Sequence, residues 1–187
     1  MKRLILAIVL LALAVTGAAG CTNSPAEPPA RKPTFNDTDV MFLQMMIAHH
    51  GPADEMLALA KTRATREDIN TLAAAVQVTQ ADETKTMADW LQSWGEPLVS
   101  TAGDDAHAAH GGALPKGDAE IKALKEATNA EFDRIFITIF SGYQQTAVTL
   151  ARMEINGGAF TKAVELADRV DKNRRAQIEL MSRFAPS

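Results

Sequence analysis

Cysteine and aromatic residues are scarce in this sequence of 187 residues: one Cys, one Tyr, two Trp, and aromatics only 5% of the chain. A single Cys excludes a disulfide framework within the chain, and with it any Cys-rich zinc site or Cys-ligated iron–sulfur cluster. Basic residues are not in excess. With 19 Lys+Arg against 23 Asp+Glu the net charge is −4, which argues against nucleic-acid binding, since that needs a cationic face to displace counterions. The period-two alternation of a β-strand is nowhere sustained. Several catalytic signatures are missing as well. There is no Glu-x-x-His pair for a di-iron bundle, no Cys-x-x-Cys-His for haem attachment, no Gly-rich phosphate loop and no Gly-x-Ser-x-Gly elbow. No enzymatic activity is expected.

What is present begins with an export signal. Lys2 and Arg3 precede an apolar run from Leu4 to Val15, too short to span a bilayer. Small residues, Ala18-Ala19-Gly20, then lead into Cys21, the one Cys. This arrangement resembles a bacterial lipoprotein signal, although Ala18 stands where Leu is commoner. The resemblance implies removal of residues 1–20 and lipidation of Cys21, with the chain exported and anchored at the outer face of the cytoplasmic membrane. Cleavage would take Lys2 and Arg3 with it, leaving 17 Lys+Arg against 23 Asp+Glu and a net charge of −6. Residues 21–34 carry four of the eight prolines. Proline at that density favours extended chain, so the segment reads as a tether between lipid and domain.

Residues 35–184 read as all-α and contain a repeat with an offset of 94. Asp39 pairs with Asp133, Phe42 with Phe136, Ala53 with Ala147, Leu72 with Leu166, Val76 with Val170, and Met87 with Met181. Thr34-x-x-Asp37 and Thr128-x-x-Glu131 look like matching helix starts. Repeat 1 covers about 35–95 and repeat 2 about 128–184, with a linker at 96–117. Within them, helices are predicted at about 35–62, from Thr65-x-x-Asp68 to a stop at Gly95, over 129–155, and over 159–184. A short helix is expected from Asp118 to Ala127. Two tandem helical hairpins, each with one apolar stripe, bury those stripes best against each other as a four-helix bundle. Gln80 and Glu83 interrupt the apolar stripe of the second helix.

The chemistry is concentrated in Asp39–Met56. Of the seven methionines after Met1, four lie here: Met41, Met45, Met46 and Met56. His49 and His50 lie here too. At about 100° per residue, Met41, Met45, His49 and Met56 share one stripe, and Asp39, Met46 and His50 the next. Each imidazole has a thioether one turn before it. Being about 100° apart, the two imidazoles are not both expected in the core, and one is placed at the bundle edge. Pro52 is expected to kink the helix beside them. Thioether with imidazole is a soft-to-borderline donor set that suits copper, Cu(I) above all. Methionine at helical spacing is also ordinary core filler, and on the residues alone both readings stay open. In the linker, His107 and His110 beside Asp104 and Asp105 form a weaker candidate for Cu(II) or zinc, or a solvated loop.

Phe42-x-x-Met45-Met46-x-x-His49-His50-x-x-Ala53-x-x-Met56, followed by a helix ending at Trp90-Leu91-x-x-Trp94-Gly95, resembles the bacterial domain-of-unknown-function 305 family. That resemblance implies an exported, ferritin-like four-helix bundle with tandem copies of the motif. It also implies a metal-ligand role, associated in some members with copper, for Met45, Met46, His49, His50 and Met56. The second repeat departs from the pattern. Tyr143 stands opposite His49, Gln144 opposite His50, and Leu150 opposite Met56. A symmetric pair of sites is therefore not expected. Three arrangements remain: one site served by the first repeat and its neighbours, two chains pooling their first repeats in a homodimer, or a motif that has lost the metal. The function expected is a lipid-anchored copper-binding, storage or handover protein, partnered by the membrane and a metal ion. The alternative is a helical interaction module whose Met/His stripe is structural.

Overall fold

The computed structural model describes residues 34–99 and 117–184. Among these, all regular secondary structure is α-helical: α1 (Asp37–Arg63), α2 (Glu67–Trp94), α3 (Asp118–Glu126), α4 (Asn129–Gly157) and α5 (Thr161–Phe184). No described helix is long and apolar enough to cross a membrane. Cys21, the signal and tether, and His107 and His110 of the linker lie outside the described residues.

Hairpins α1–α2 and α4–α5 are each closely packed, and α1 lies against α4 along the centre. The backbones of α2 and α5 stay further apart. Long side chains bridge that gap, with Arg174 of α5 meeting Glu83 of α2 and Arg66 donating to the Phe184 carbonyl at 2.9 Å. The short α3 covers one end of α1, where Gly117 sits at φ +77° against Pro52. A Cβ there would stand 2.4 Å from the Pro52 ring. α1 itself continues through Pro52.

Several helix starts differ from the local expectation, while α4 starts behind Thr128 and α2 stops at Gly95 as expected. α1 is capped by Asn36, whose side chain accepts from the Asp39 amide at 3.0 Å, while Asp39 accepts from the Asn36 amide at 2.7 Å. Thr34 and Asp37 do not form this box. α2 has no side-chain cap of its own; neither Thr65 nor Asp68 opens it. The two residues just before it, Thr65 and Arg66, instead donate their amides across the bundle to Asp133 at 3.0 and 3.1 Å. The start of α5 is held in the same way, with Ala159 and Phe160 donating to Asp39 at 3.1 and 2.9 Å. Asp39 and Asp133 are 94 positions apart, and so are the amide pairs they hold. α3 starts behind Gly117, with Asp118 as its first residue and not its cap. Gly95, at φ +80°, ends α2 by returning amides to Gln92 and Leu91.

Two apolar clusters fill the interior. One holds Ala53, Met56, Leu57, Leu124, Phe136, Phe140 and Tyr143. The other holds Phe42, Leu43, Met45, Met46, Met87, Leu91 and Ala147.

Candidate metal centre

A layer of polar side chains crosses the bundle around His49 and His50. Both imidazoles are buried, at 1% and 5% exposure, so neither sits at an exposed edge. The reason is that α1 is the inner helix. It packs on α2 on one side and α4 on the other, and its buried arc is wide enough for two residues 100° apart.

His49 turns toward α4. Its ring stacks on Tyr143 with centroids 4.1 Å apart, and its Nε2 donates to the Tyr143 carbonyl at 3.0 Å. The Tyr143 hydroxyl donates back to the His49 carbonyl at 3.2 Å. These two residues are counterparts at the 94-residue offset, so the reciprocal bonds mark the pseudo-twofold axis of the bundle. Because a carbonyl only accepts, it fixes His49 as the Nε2–H tautomer. Nδ1 is then a lone pair, and it is buried without a hydrogen-bond partner. A histidine whose other nitrogen is tied to a carbonyl is the usual metal-ligand arrangement.

His50 turns toward α2. Its Nδ1 lies 2.8 Å from Thr84 Oγ1, and its Nε2 is buried without a hydrogen bond, 3.6 Å from Glu83 Oε2. In the tautomer whose Nδ1 donates to Thr84, Nε2 presents a lone pair; in the other, the Thr84 hydroxyl donates to Nδ1 and Nε2–H faces Glu83. The two ring centroids are 6.4 Å apart. Burial pushes the His49 pKa down to about 4, and burial followed by the positive charge of Arg174 holds His50 well below its usual value. Both rings are neutral at pH 7, the form that binds metal.

The rest of the layer comes from residues whose importance the sequence did not reveal. Arg174 is fully buried and binds Glu83 through Nη2, while its Nε and Nη1 have no partner. Burial raises the Glu83 pKa, and Arg174 opposes that rise. Both polar atoms of the buried Gln80 carboxamide are unpartnered. Gln144, the counterpart of His50, does not reach an imidazole. It donates to Gln177, the counterpart of Glu83, at 2.5 Å. The one local sign of this layer was the polar break at Gln80 and Glu83 in an otherwise apolar stripe.

The candidate sulfurs divide between the clusters. Met45 and Met46, one turn before the imidazoles, lie in the cluster with Met87 and Leu91. Met56 lies in the other, with Phe140 and Tyr143. From Met45 to Met56 is eleven residues, about 16 Å along the helix axis, and helical side chains lean toward the N-terminus. Met56 is seven residues, about 10 Å, from His49 along the same axis, in the cluster that holds Tyr143, the ring stacked on His49. Met41 is only half-buried. Among the described residues no three His, Cys, Asp or Glu side chains gather as a ready metal cluster. The unpartnered donors here are one nitrogen of each imidazole, on rings that face α4 and α2 respectively, with Met45 and Met46 one helical turn before them in sequence.

A double helical hairpin with a Met/His motif on its inner helix and a polar layer at its centre defines a class of small bundle proteins. The chain belongs to one family of that class, described as a domain of unknown function (DUF305), whose model matches residues 39–185. Solved structures show the same fold. A putative secreted DUF305 protein from Streptomyces coelicolor is 24% identical and covers 79% of this chain and 89% of its own, with a TM-score of 0.69. A DUF305 fragment from Deinococcus radiodurans is 23% identical over 80% of this chain and 96% of its own, with a TM-score of 0.68. CopM in its Cu(I)-bound form is 27% identical over 78% of this chain and 94% of its own, with a TM-score of 0.64. Structures of CopM holding Cu(II) and silver match as well. No curated protein matches the chain.

Proposed function

We propose that this is a copper-binding protein, lipid-anchored through Cys21 at the outer face of the cytoplasmic membrane, that holds Cu(I) or passes it on and catalyses no reaction. The observation that carries this reading is the pair of buried, unpartnered imidazole nitrogens on α1, held neutral and following Met45 and Met46 by one turn. Similarity to CopM, which binds Cu(I), Cu(II) and silver, supports the same class of ion. The preference for a monovalent ion has a physical basis. Thioethers are soft donors, and Arg174 repels a cation in proportion to its charge. Met45, Met46, His49 and His50 are the ligands in this reading, and Met56 serves the core beside them.

Titration of Cu(I), with Ag(I) as its redox-stable stand-in, tests this. The chain is expected to bind one monovalent ion, and His49→Ala/His50→Ala to lose binding. Met45→Leu/Met46→Leu, which preserves core volume, should weaken it about tenfold. Unchanged affinity in both variants removes the proposal.

One observation favours a second reading, in which the motif is structural. His49 and Tyr143 already satisfy each other across the pseudo-twofold axis, as a packing contact between hairpins would. In that case neither ion binds, and His49→Ala alters stability alone.

A further inference from the structure

The His50–Glu83 contact is neither a hydrogen bond nor an empty spacing. In the second repeat the counterpart pair, Gln144 and Gln177, closes to 2.5 Å. In the first, His50 Nε2 and Glu83 Oε2 stay 3.6 Å apart, and the imidazole nitrogen has no partner. The same backbone positions thus permit direct contact in one repeat, while the other keeps an opening. Metal–nitrogen bonds of about 2.0–2.1 Å and metal–oxygen bonds of about 2.0–2.2 Å, meeting near the tetrahedral angle, place two donor atoms about 3.3–3.5 Å apart. The observed 3.6 Å is slightly longer, and a small side-chain shift brings the two atoms to the spacing of ligands sharing one ion. Glu83 Oε2 is at present taken by Nη2 of Arg174, a guanidinium that is fully buried with its Nε and Nη1 unpartnered. A groove of about 440 Å³ between α1 and α2, lined by His50, Gly51, Asp54, Gln80, Thr84 and Lys85 among others, reaches the His50 side of this pair from solvent.

We propose that Glu83 is a further metal ligand, forming with His50 a subsite for a divalent borderline cation of the copper(II) or zinc class, and that Arg174 guards this subsite by holding the same carboxylate oxygen. The inference rests on the metal-binding reading above and adds to it a third kind of donor and a selectivity device. A nitrogen–carboxylate pair suits a divalent ion better than thioethers do. Such an ion must displace Arg174 from Glu83 and then sit near its charge. Monovalent soft ions, held by sulfur and imidazole, bypass that exchange. Arg174 therefore sets how strongly the site prefers one valence over the other.

The test compares binding of Cu(II) and of Ag(I) to the full chain in three forms: unmodified, Arg174→Gln, and Glu83→Gln/Arg174→Gln. Gln at 174 reproduces its counterpart Gln80, and the double variant removes both charges so that no buried ion is left alone. Arg174→Gln should bind Cu(II) about tenfold more tightly and the double variant about tenfold more weakly than the unmodified chain, with Ag(I) affinity rising by a smaller factor in both as the Arg174 charge is lost. Cu(II) affinity of the double variant equal to or above that of the unmodified chain overturns the proposal, and this variant decides alone if Arg174→Gln does not fold. Cu(II) binding weakened by Arg174→Gln overturns the guarding role. Failure of the unmodified chain to bind Ag(I) instead removes the Met/His reading on which the inference stands.

Discussion

The two hairpins share a scaffold and differ in what they place at its centre. In the first, the inner helix brings His49 and His50 into the layer, and the outer helix brings Gln80 and Glu83. In the second, the same positions hold Tyr143, Gln144, Arg174 and Gln177. The second hairpin satisfies its own amide pair and lends the first a hydroxyl, a carbonyl and a guanidinium. Both hairpins hold buried polar atoms without a partner, but the imidazole nitrogens among them belong to the first, and in the second they are carboxyl, carboxamide and guanidinium atoms. Duplication has thus left the imidazoles to one copy, while the other supplies the carbonyl and hydroxyl that orient His49 and the guanidinium that binds Glu83. A bundle with two identical hairpins would have to place two of everything on the axis, where Tyr143 now stacks on His49.

That contrast can be broken most severely at Arg174. Replacing it with Ala strands Glu83 in the interior, and loss of one partner of a buried pair costs about 3–5 kcal/mol. The loss is read from urea unfolding, and Glu83→Gln/Arg174→Ala should recover most of it. Recovery of none would mean the guanidinium stabilises through packing rather than through the pair. The two cross-bundle caps sharpen the comparison. Asp39 is fully buried and serves Asn36, Ala159 and Phe160, whereas Asp133 is half-buried and serves Thr65 and Arg66. Asp39→Ala should cost about 3 kcal/mol and Asp133→Ala about 1 kcal/mol; equal losses would show that burial does not distinguish them.

A smaller effect follows from Glu154, whose counterpart in the first repeat is Ala60. Its carboxyl is buried, and burial together with the adjacent Asp39 pushes its pKa up to about 9. The folded state therefore binds a proton more tightly than the unfolded chain does. Stability from this group is full below the unfolded value near 4.5 and is lost as pH rises toward 9. Glu154→Gln should raise stability by about 2 kcal/mol at pH 8 and have no effect at pH 4, as thermal unfolding at the two pH values would show. An equal gain at both would place its origin outside ionisation.

Much of this architecture is legible from residue order, because helical periodicity and a gapless offset are local or one-dimensional signals. The stop at Gly95 is of that kind. The helix starts at Thr65 and Ala159 are not, since their caps come from carboxylates 68 and 120 positions away in the chain, and such a contact leaves no mark near the helix it serves. The burial of both imidazoles is hidden for a related reason. Periodicity gives the angle between two side chains, and the number of neighbours around a helix then decides whether both fit inside. Met45 and Met56 lie on one stripe, but a stripe has length, and the two fall into different clusters. Arg174 gave no signal at all, since one arginine on a charged helix looks like any other until its partner is seen.

The exchange of caps also bears on how such a molecule could arise and come apart. Each hairpin carries the acceptor that completes the other's outer helix and lacks one for its own. A lone ancestral hairpin would have been unfinished until it met a second copy, so dimerisation would have preceded fusion into one chain. In the fused protein each half is held at its outer helix by the other, and the bundle is expected to open in a single cooperative step.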